Sequence, residues 1–250
     1  MIQEYPIRQA IRSTWASRAE LQRYKASVVF VISAGPQAMT YIRNHGSDKL
    51  VKLRDESDRF NDILLTDLVE SYRNVDQKWI AGNTWLNRHC SSAYYIKADS
   101  NVMISFRTAA KFAKRNETDK IYGNCFCCAA VYRKGPWSVS PSVYPRRRWP
   151  TYCGGTAYLY SHVVQTKLLA AIANSTMIKL EDAWVTGVLA EKAGIKRINA
   201  FVDAQWAPVK KQRCAQHTQL MFEVDKHTRN QDMIVRKMES KWKKMQLMGC

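Results

Sequence analysis

Two short stretches carry residues whose types and spacing could do chemistry. The first runs Tyr94-Tyr95-Ile96-Lys97-Ala98-Asp99-Ser100-Asn101-Val102-Met103-Ile104, an apolar segment that meets Asp-Ser-Asn and then turns apolar again. An α/β sheet places ligand chemistry at the carboxyl end of a buried strand, where such a polar cluster would lie. A carboxylate there can hold a divalent metal that neutralises a diphosphate. Asp, Ser and Asn are also turn formers, and a strand followed by an Asx turn accounts for them by itself. The second stretch is Glu181-Asp182, which opens the apolar run Ala183-Trp184-Val185-Thr186-Gly187-Val188-Leu189-Ala190. Paired acids suit the positive end of a helix dipole. They are equally well placed to act as a general base.

The elements that must position these groups follow from periodicity. Ile7, Ile11 and Trp15 recur four apart, which predicts an amphipathic helix with Arg8 and Arg12 on a neighbouring stripe. Arg12 is a candidate phosphate-facing cation, or simply a surface arginine. Val28-Val29-Phe30-Val31-Ile32-Ser33 is a β-branched run ending in Ala-Gly-Pro and reads as a buried parallel strand. Asp55 to Trp85 reads as mostly helical, with Asp62 and Asp67 as cap or surface carboxylates. A helix is expected over Ser105–Arg115. Strands are expected over Ile121–Phe126 and over Ala129–Tyr132, and Cys153 through Ser161 reads as a glycine turn into a strand. Lys134 to Tyr152 is a long loop rich in aromatic and basic residues, and a loop of that length is a binding feature or a lid. Asp232 to Met248 is a basic, Met-containing surface helix or partly ordered tail. The expected division is a domain over 1–210 and a basic C-terminal segment, partly helical, over 211–250.

The chain has 250 residues, 46% hydrophobic and 24% charged, enough for one large α/β domain with a full core. The formal net charge of +18 invites acidic partners. It is spread along the chain, densest at Arg146-Arg147-Arg148, Lys210-Lys211-Gln212-Arg213 and Arg236 to Lys244, and no nucleic-acid motif accompanies it. A solvated basic surface is expected, with no nucleic acid as partner. No run of eighteen apolar residues occurs, so no transmembrane segment is expected within this sequence, and the N-terminus carries no signal-peptide core. A targeting segment is therefore expected to be either absent or missing from the sequence as given. The seven cysteines match no zinc spacing, and their pairing stays open.

Taken in order, several motifs resemble those of the β-1,3-galactosyltransferase family, glycosyltransferase family 31, over residues 7 to 200. Arg12-Ser13-Thr14-Trp15 is similar to its Arg-x-Thr-Trp opening. Glu56, Asp62-Ile63, Asp67, Tyr72, Asn74 and Lys78 follow its next block. Lys97-Ala98-Asp99-Ser100-Asn101-Val102 is similar to Lys-Thr-Asp-Asp-Asp-Val. Pro150-Thr151-Tyr152-Cys153-Gly154-Gly155-Thr156-Ala157-Tyr158-Leu159-Tyr160-Ser161 is similar to its Tyr-Pro-x-Tyr-x-x-Gly-x-x-Tyr-x-x-Ser block, and Glu181-Asp182-Ala183-Trp184-Val185-Thr186-Gly187 to its Glu-Asp-Val-x-x-Gly block.

The resemblance implies a single-domain α/β fold of GT-A type that binds a nucleotide sugar. It implies inverting transfer of galactose or an N-acetylhexosamine from a UDP-sugar to a glycan, glycoprotein or glycolipid acceptor, in β-1,3 linkage. It also implies Mn²⁺ and the Golgi. By the same resemblance Asp182 is the base with Glu181 beside it, Asp99 and Asn101 are the metal positions, and Arg12, Lys97 and Asp99 face the donor. The departure is the acidic triplet, here Asp99-Ser100-Asn101. An amide oxygen binds a hard cation less strongly than a carboxylate. Three readings stay open: an enzyme with looser metal dependence, one with a different donor preference, and a catalytically silent protein that keeps the fold and binds UDP-sugar or glycan.

Overall fold

The computed structural model describes residues 2–35, 48–200, 221–224 and 230–247. The boundary expected at residue 210, the cluster Lys210–Arg213, Cys214 and Cys250 lie outside the described residues.

The chain opens with helices α1 (Tyr5–Ser13) and α2 (Arg18–Tyr24) and strand β1 (Phe30–Ser33). Helix α3 (Asp48–Phe60) follows, and Asn61, at φ 50°, takes the left-handed conformation that stops it. The chain then enters β2 (Ile63–Thr66), which pairs in parallel with β1, Phe30 opposite Ile63 through Ser33 opposite Thr66. The helical reading of Asp55–Trp85 is corrected here. Ile63-Leu64-Leu65-Thr66 is too short a run for its period to be read, and pairing with β1 makes it a strand. Helix resumes as α4 (Val75–His89).

Strands β3 (Tyr94–Ala98) and β4 (Val102–Ile104) flank Asp99-Ser100-Asn101, as expected. Helix α5 (Phe106–Ala113) is capped by Ser105, whose hydroxyl accepts from the Thr108 N–H at 3.2 Å. Strand β5 (Lys120–Phe126) is as expected, and β6 (Tyr152–Ser161) starts earlier than expected: Gly154-Gly155, expected as a turn, lies within the strand because Tyr152 and Cys153 already pair with β5. Helix α6 (His162–Ile172) was not anticipated. The strand expected over Ala129–Tyr132 reduces to one bridge between Ala130 and Arg148. Helix α7 (Ala183–Leu189) is of the wide π type and continues into Ala190–Lys192. Strand β7 (Lys196–Asn199) completes a four-stranded sheet in the order β3-β6-β5-β7, with β6 antiparallel to both neighbours and β7 parallel to β5.

Two hydrophobic bodies sit on either side of this sheet. One is built around Trp184, Tyr158, Tyr160, Ile121 and Leu168. The other unites the two ends of the chain. Val102, Met103 and Ile104 of β4 are buried against Ile7, Ile11 and Trp15 and against Ile234 and Met238 of α8 (Gln231–Leu247). Strand β8 (Met221–Glu223) pairs antiparallel with β4. The segment expected at the surface therefore also supplies the floor beneath the polar turn: α8 turns Ile234 and Met238 inward and its lysines outward. The layered arrangement of mixed sheet and helices is that of a single α/β domain consistent with a GT-A fold. No described helix is long and apolar enough to cross a membrane.

Cys125 and Cys153, in neighbouring strands, form a disulfide, and Cys127 pairs with Cys128. Cys90 is free.

If α8 is a core element, Met238→Ala should cost about 2–5 kcal/mol of stability, whereas Met233→Ala, on the outer face, should change little. Urea unfolding of the two variants checks this, and equal midpoints would refute the packing role.

Candidate active site

Strand β3 carries Lys97 to its last turn of ladder, opposite Tyr158 of β6. The Asp99 N–H donates to the Thr156 carbonyl at 2.9 Å, so the ladder extends one residue further before the chain turns. This pairing brings three elements together. Lys97 Nζ lies 2.7 Å from Asp99 Oδ1 and 3.6 Å from Glu181 Oε2, and it donates to the Gly155 carbonyl. Burial acts to lower the Lys97 pKa, but the fields of Glu181 and Asp99 outweigh it and raise the value above that of a free lysine. The ammonium is therefore a fixed charge across the ordinary pH range.

Glu181 is buried, and the Tyr158 hydroxyl donates to it. Burial raises its carboxyl above the usual range, with Lys97 and Tyr158 acting against that rise. Asp182 is only half-buried and is held by two backbone donors. Its Oδ1 accepts from the Ala183 N–H at 2.8 Å, capping α7, and its Oδ2 accepts from the Gly155 N–H at 3.3 Å. Each oxygen keeps a lone pair for a further donor. Of the paired acids, then, Asp182 can meet a substrate hydroxyl, and Glu181 anchors the pair from behind.

Close approach makes this possible. A Cβ on Gly155 would stand 3.2 Å from Glu181 Oε2 and 3.4 Å from the Asp182 Cβ, so a larger residue would displace the carboxylates. Thr186, one turn into α7, accepts from the Cys153 N–H at 2.8 Å, and its hydroxyl lies 2.6 Å from the Asp182 carbonyl. The helix start is thus tied to β6. Thr186 escaped the sequence reading because a hydroxyl inside an apolar helix carries no signal until its backbone partner is known.

Asp99 leaves its side chain 49% exposed toward solvent. Asn101 immediately precedes β4, and its backbone carbonyl accepts from the Val224 N–H at 3.0 Å. Among the described residues, no group of three or more His, Cys, Asp or Glu is arranged to hold a metal ion.

Arg12 stands apart from this cluster. Its guanidinium makes a two-pronged pair with Asp62, at 2.8 and 2.7 Å, and donates to Glu56 at 2.8 Å. It also lies over the rings of Phe60 and Phe30, at 4.0 and 4.9 Å. Arg8 closes the network with bonds of 2.8 and 2.6 Å to the same Glu56. Arg12 thereby clamps α1 to α3 and to the start of β2, and Asp62, expected as a cap or surface carboxylate, is one jaw of the clamp.

Burial acts to raise the Glu56 pKa, but hydrogen bonds from Arg8 and Arg12 outweigh it and hold the carboxyl below its ordinary value. A carboxyl held low contributes stability that is full above its unfolded pKa, about 4.3, and that is lost as pH falls through the folded value. Glu56→Gln should therefore melt earlier at pH 7, by about 3–5 kcal/mol, and lose less further stability on acidification. A melting-temperature series from pH 7 to 3 checks this, and superimposable curves would refute it.

Comparison with known proteins gives one answer. The sequence profile of the family described as Galactosyltransferase matches residues 7–200. Beta-1,3-galactosyltransferase 1 of Mus musculus, and likewise that of Homo sapiens, is 26% identical over 201 residues, covering 77% of this chain and 58% of the relative. Beta-1,3-galactosyltransferase 5 of Pan paniscus is 28% identical over 196 residues, covering 76% of this chain and 61% of the relative. The chain thus spans about three-fifths of the length of these relatives. The matched region contains both arms of the Lys97–Glu181 cluster and the Arg12 clamp, and the chain belongs to the galactosyltransferase family.

Proposed function

We propose that the chain is an inverting hexosyltransferase that moves galactose or an N-acetylhexosamine from a UDP-sugar to a glycan hydroxyl in β-1,3 linkage. The observation that carries this reading is the half-exposed Asp182 carboxylate, fixed by the Gly155 and Ala183 N–H groups beside the Lys97–Asp99 pair. Inversion needs one base, placed opposite the leaving group, to take the proton from the acceptor hydroxyl. Asp182 is that base. Glu181 and Lys97 keep it in place, and the Lys97 ammonium supplies fixed positive charge on the side where the diphosphate would gain negative charge.

A divalent cation such as Mn²⁺ fits the residues only in company with the donor. Asp99 and Asn101 would hold it, one carboxylate and one amide oxygen, and diphosphate oxygens would complete its coordination, as hard cations with few protein ligands require. When bound, it would neutralise the departing diphosphate. The Lys97 ammonium at 2.7 Å already engages one Asp99 oxygen, which lowers the site's attraction for a second cation. The same observation favours a second reading, a catalytically silent protein that binds UDP-sugar or glycan. The disulfide Cys125–Cys153 supports an oxidising compartment, in keeping with a Golgi lumenal location.

Release of UDP from a panel of UDP-sugars, with galactose, glucose and N-acetylhexosamine acceptors, should be acceptor-dependent. It should fall about 10²–10⁴-fold in Asp182→Asn, a change that keeps a good helix cap. Unchanged turnover would remove Asp182 from the chemistry. Asn101→Asp should tighten Mn²⁺ activation in an enzyme that is merely weakened. Activity seen only in Asn101→Asp would establish the silent reading instead.

A further inference from the structure

Between Phe126 and Thr151 the chain holds five Lys or Arg residues and no Asp or Glu. This segment is tightly built. The Arg133 guanidinium donates to the carbonyls of Val139 at 2.7 Å, Tyr144 at 2.9 Å and Arg146 at 2.7 Å. The Val131 N–H donates to Arg147 and the Trp149 N–H to Ala129, both at 2.9 Å, and Tyr144 stacks on Trp149 at 4.5 Å. A loop pinned this way could bury its large aromatic side chains. Yet Tyr132 is 63% exposed and Trp137 53% exposed. Among the described residues, only Arg146 of the five cations has a carboxylate partner, Glu191 at 2.7 Å.

The segment also packs on α7. The Phe126 ring packs against Tyr152 at 5.8 Å, and a Cβ on Gly187 would stand 3.0 Å from the Tyr152 Cβ. The segment thus ends at Tyr152, which packs on the helix that Asp182 caps. Lys134 stands two residues after Tyr132, and Arg147 lies across the Val131 hydrogen bond.

We propose that this surface is the acceptor platform and that the acceptor is an anionic glycan, one bearing uronate or sulfate. The exposed aromatic faces of Tyr132 and Trp137 take apolar sugar faces. Lys134 and Arg147, without acidic neighbours in the segment, pair with the acceptor's negative groups. The proposal rests on Asp182 as the transferase base, and it names the substrate class that the base would serve.

The test uses the full chain and a chondroitin-derived tetrasaccharide, with its desulfated, carboxyl-reduced form as the neutral partner, titrated by calorimetry. The anionic form should bind at least about tenfold more tightly. The double variant Lys134→Glu/Arg147→Glu should lose that preference. Arg236→Glu/Lys243→Glu on α8, which changes net charge equally, should keep it. UDP affinity should be the same in all. In transfer assays the loop variant should raise KM for the anionic acceptor with little change in kcat. Equal affinity for both saccharides, or equal loss in the α8 control, would overturn the proposal, as would a single-stranded RNA that competes at the loop with equal affinity. Absence of turnover with every acceptor would sink the transferase reading on which the acceptor role rests. The saccharide titration would then still show whether the loop selects anionic glycans.

Discussion

A lysine ammonium buried among carboxylates is the interaction on which the candidate site depends. Lys97 comes from β3, its carbonyl partner Gly155 from β6, and Glu181 from the residues that lead into α7. Taking Glu181 out of water is unfavourable, and Lys97 with the Tyr158 hydroxyl offsets that cost. Neither charge is tolerable without the other, so strand pairing and helix placement fix one another. Asp182, next in the chain, is thereby delivered half-exposed at the edge of a rigid assembly.

The rest of the fold secures the two sides of this cluster. On one side, β4 is buried between the first helix and the last, with β8 beside it, so the turn Asp99-Ser100-Asn101 stands on residues from both ends of the chain. On the other, Thr186 and the disulfide Cys125–Cys153 tie β6 to α7 and to β5. The Arg12 clamp works at a third place, where an aromatic sandwich and two carboxylates hold α1 against α3. Of these devices Thr186 bears directly on Asp182, its hydroxyl donating to the Asp182 carbonyl at 2.6 Å, while the Arg12 clamp stands apart from it.

Charge is distributed unevenly around this frame. Lys97 faces the carboxyl groups of Asp99 and Glu181, while the segment over Arg133–Arg148 is cationic and aromatic together. Exposed rings beside cations with few acidic neighbours are what the proposed recognition of an anionic glycan would use.

By itself the sequence determined the element types around the turn, the helix opened by Glu181-Asp182, the two long strands and the family. These are short-range matters: alternation, caps, and side chains a few residues apart. It could not give β2, because four apolar residues have no period, nor the reduction of Ala129–Tyr132 to a single bridge, because strand identity there depends on a partner. It offered Arg12 as a phosphate-facing cation. Tertiary structure gave Arg12 to Glu56 and Asp62, which lie more than forty residues away in sequence. It likewise turned one face of a basic surface helix into the floor of β4, and divided the paired acids into a buried anchor and a half-buried carboxylate. The physical reason is common to all of these. Which polar group is left to meet a ligand depends on which others have been desolvated and paired, and that is settled only when distant segments pack.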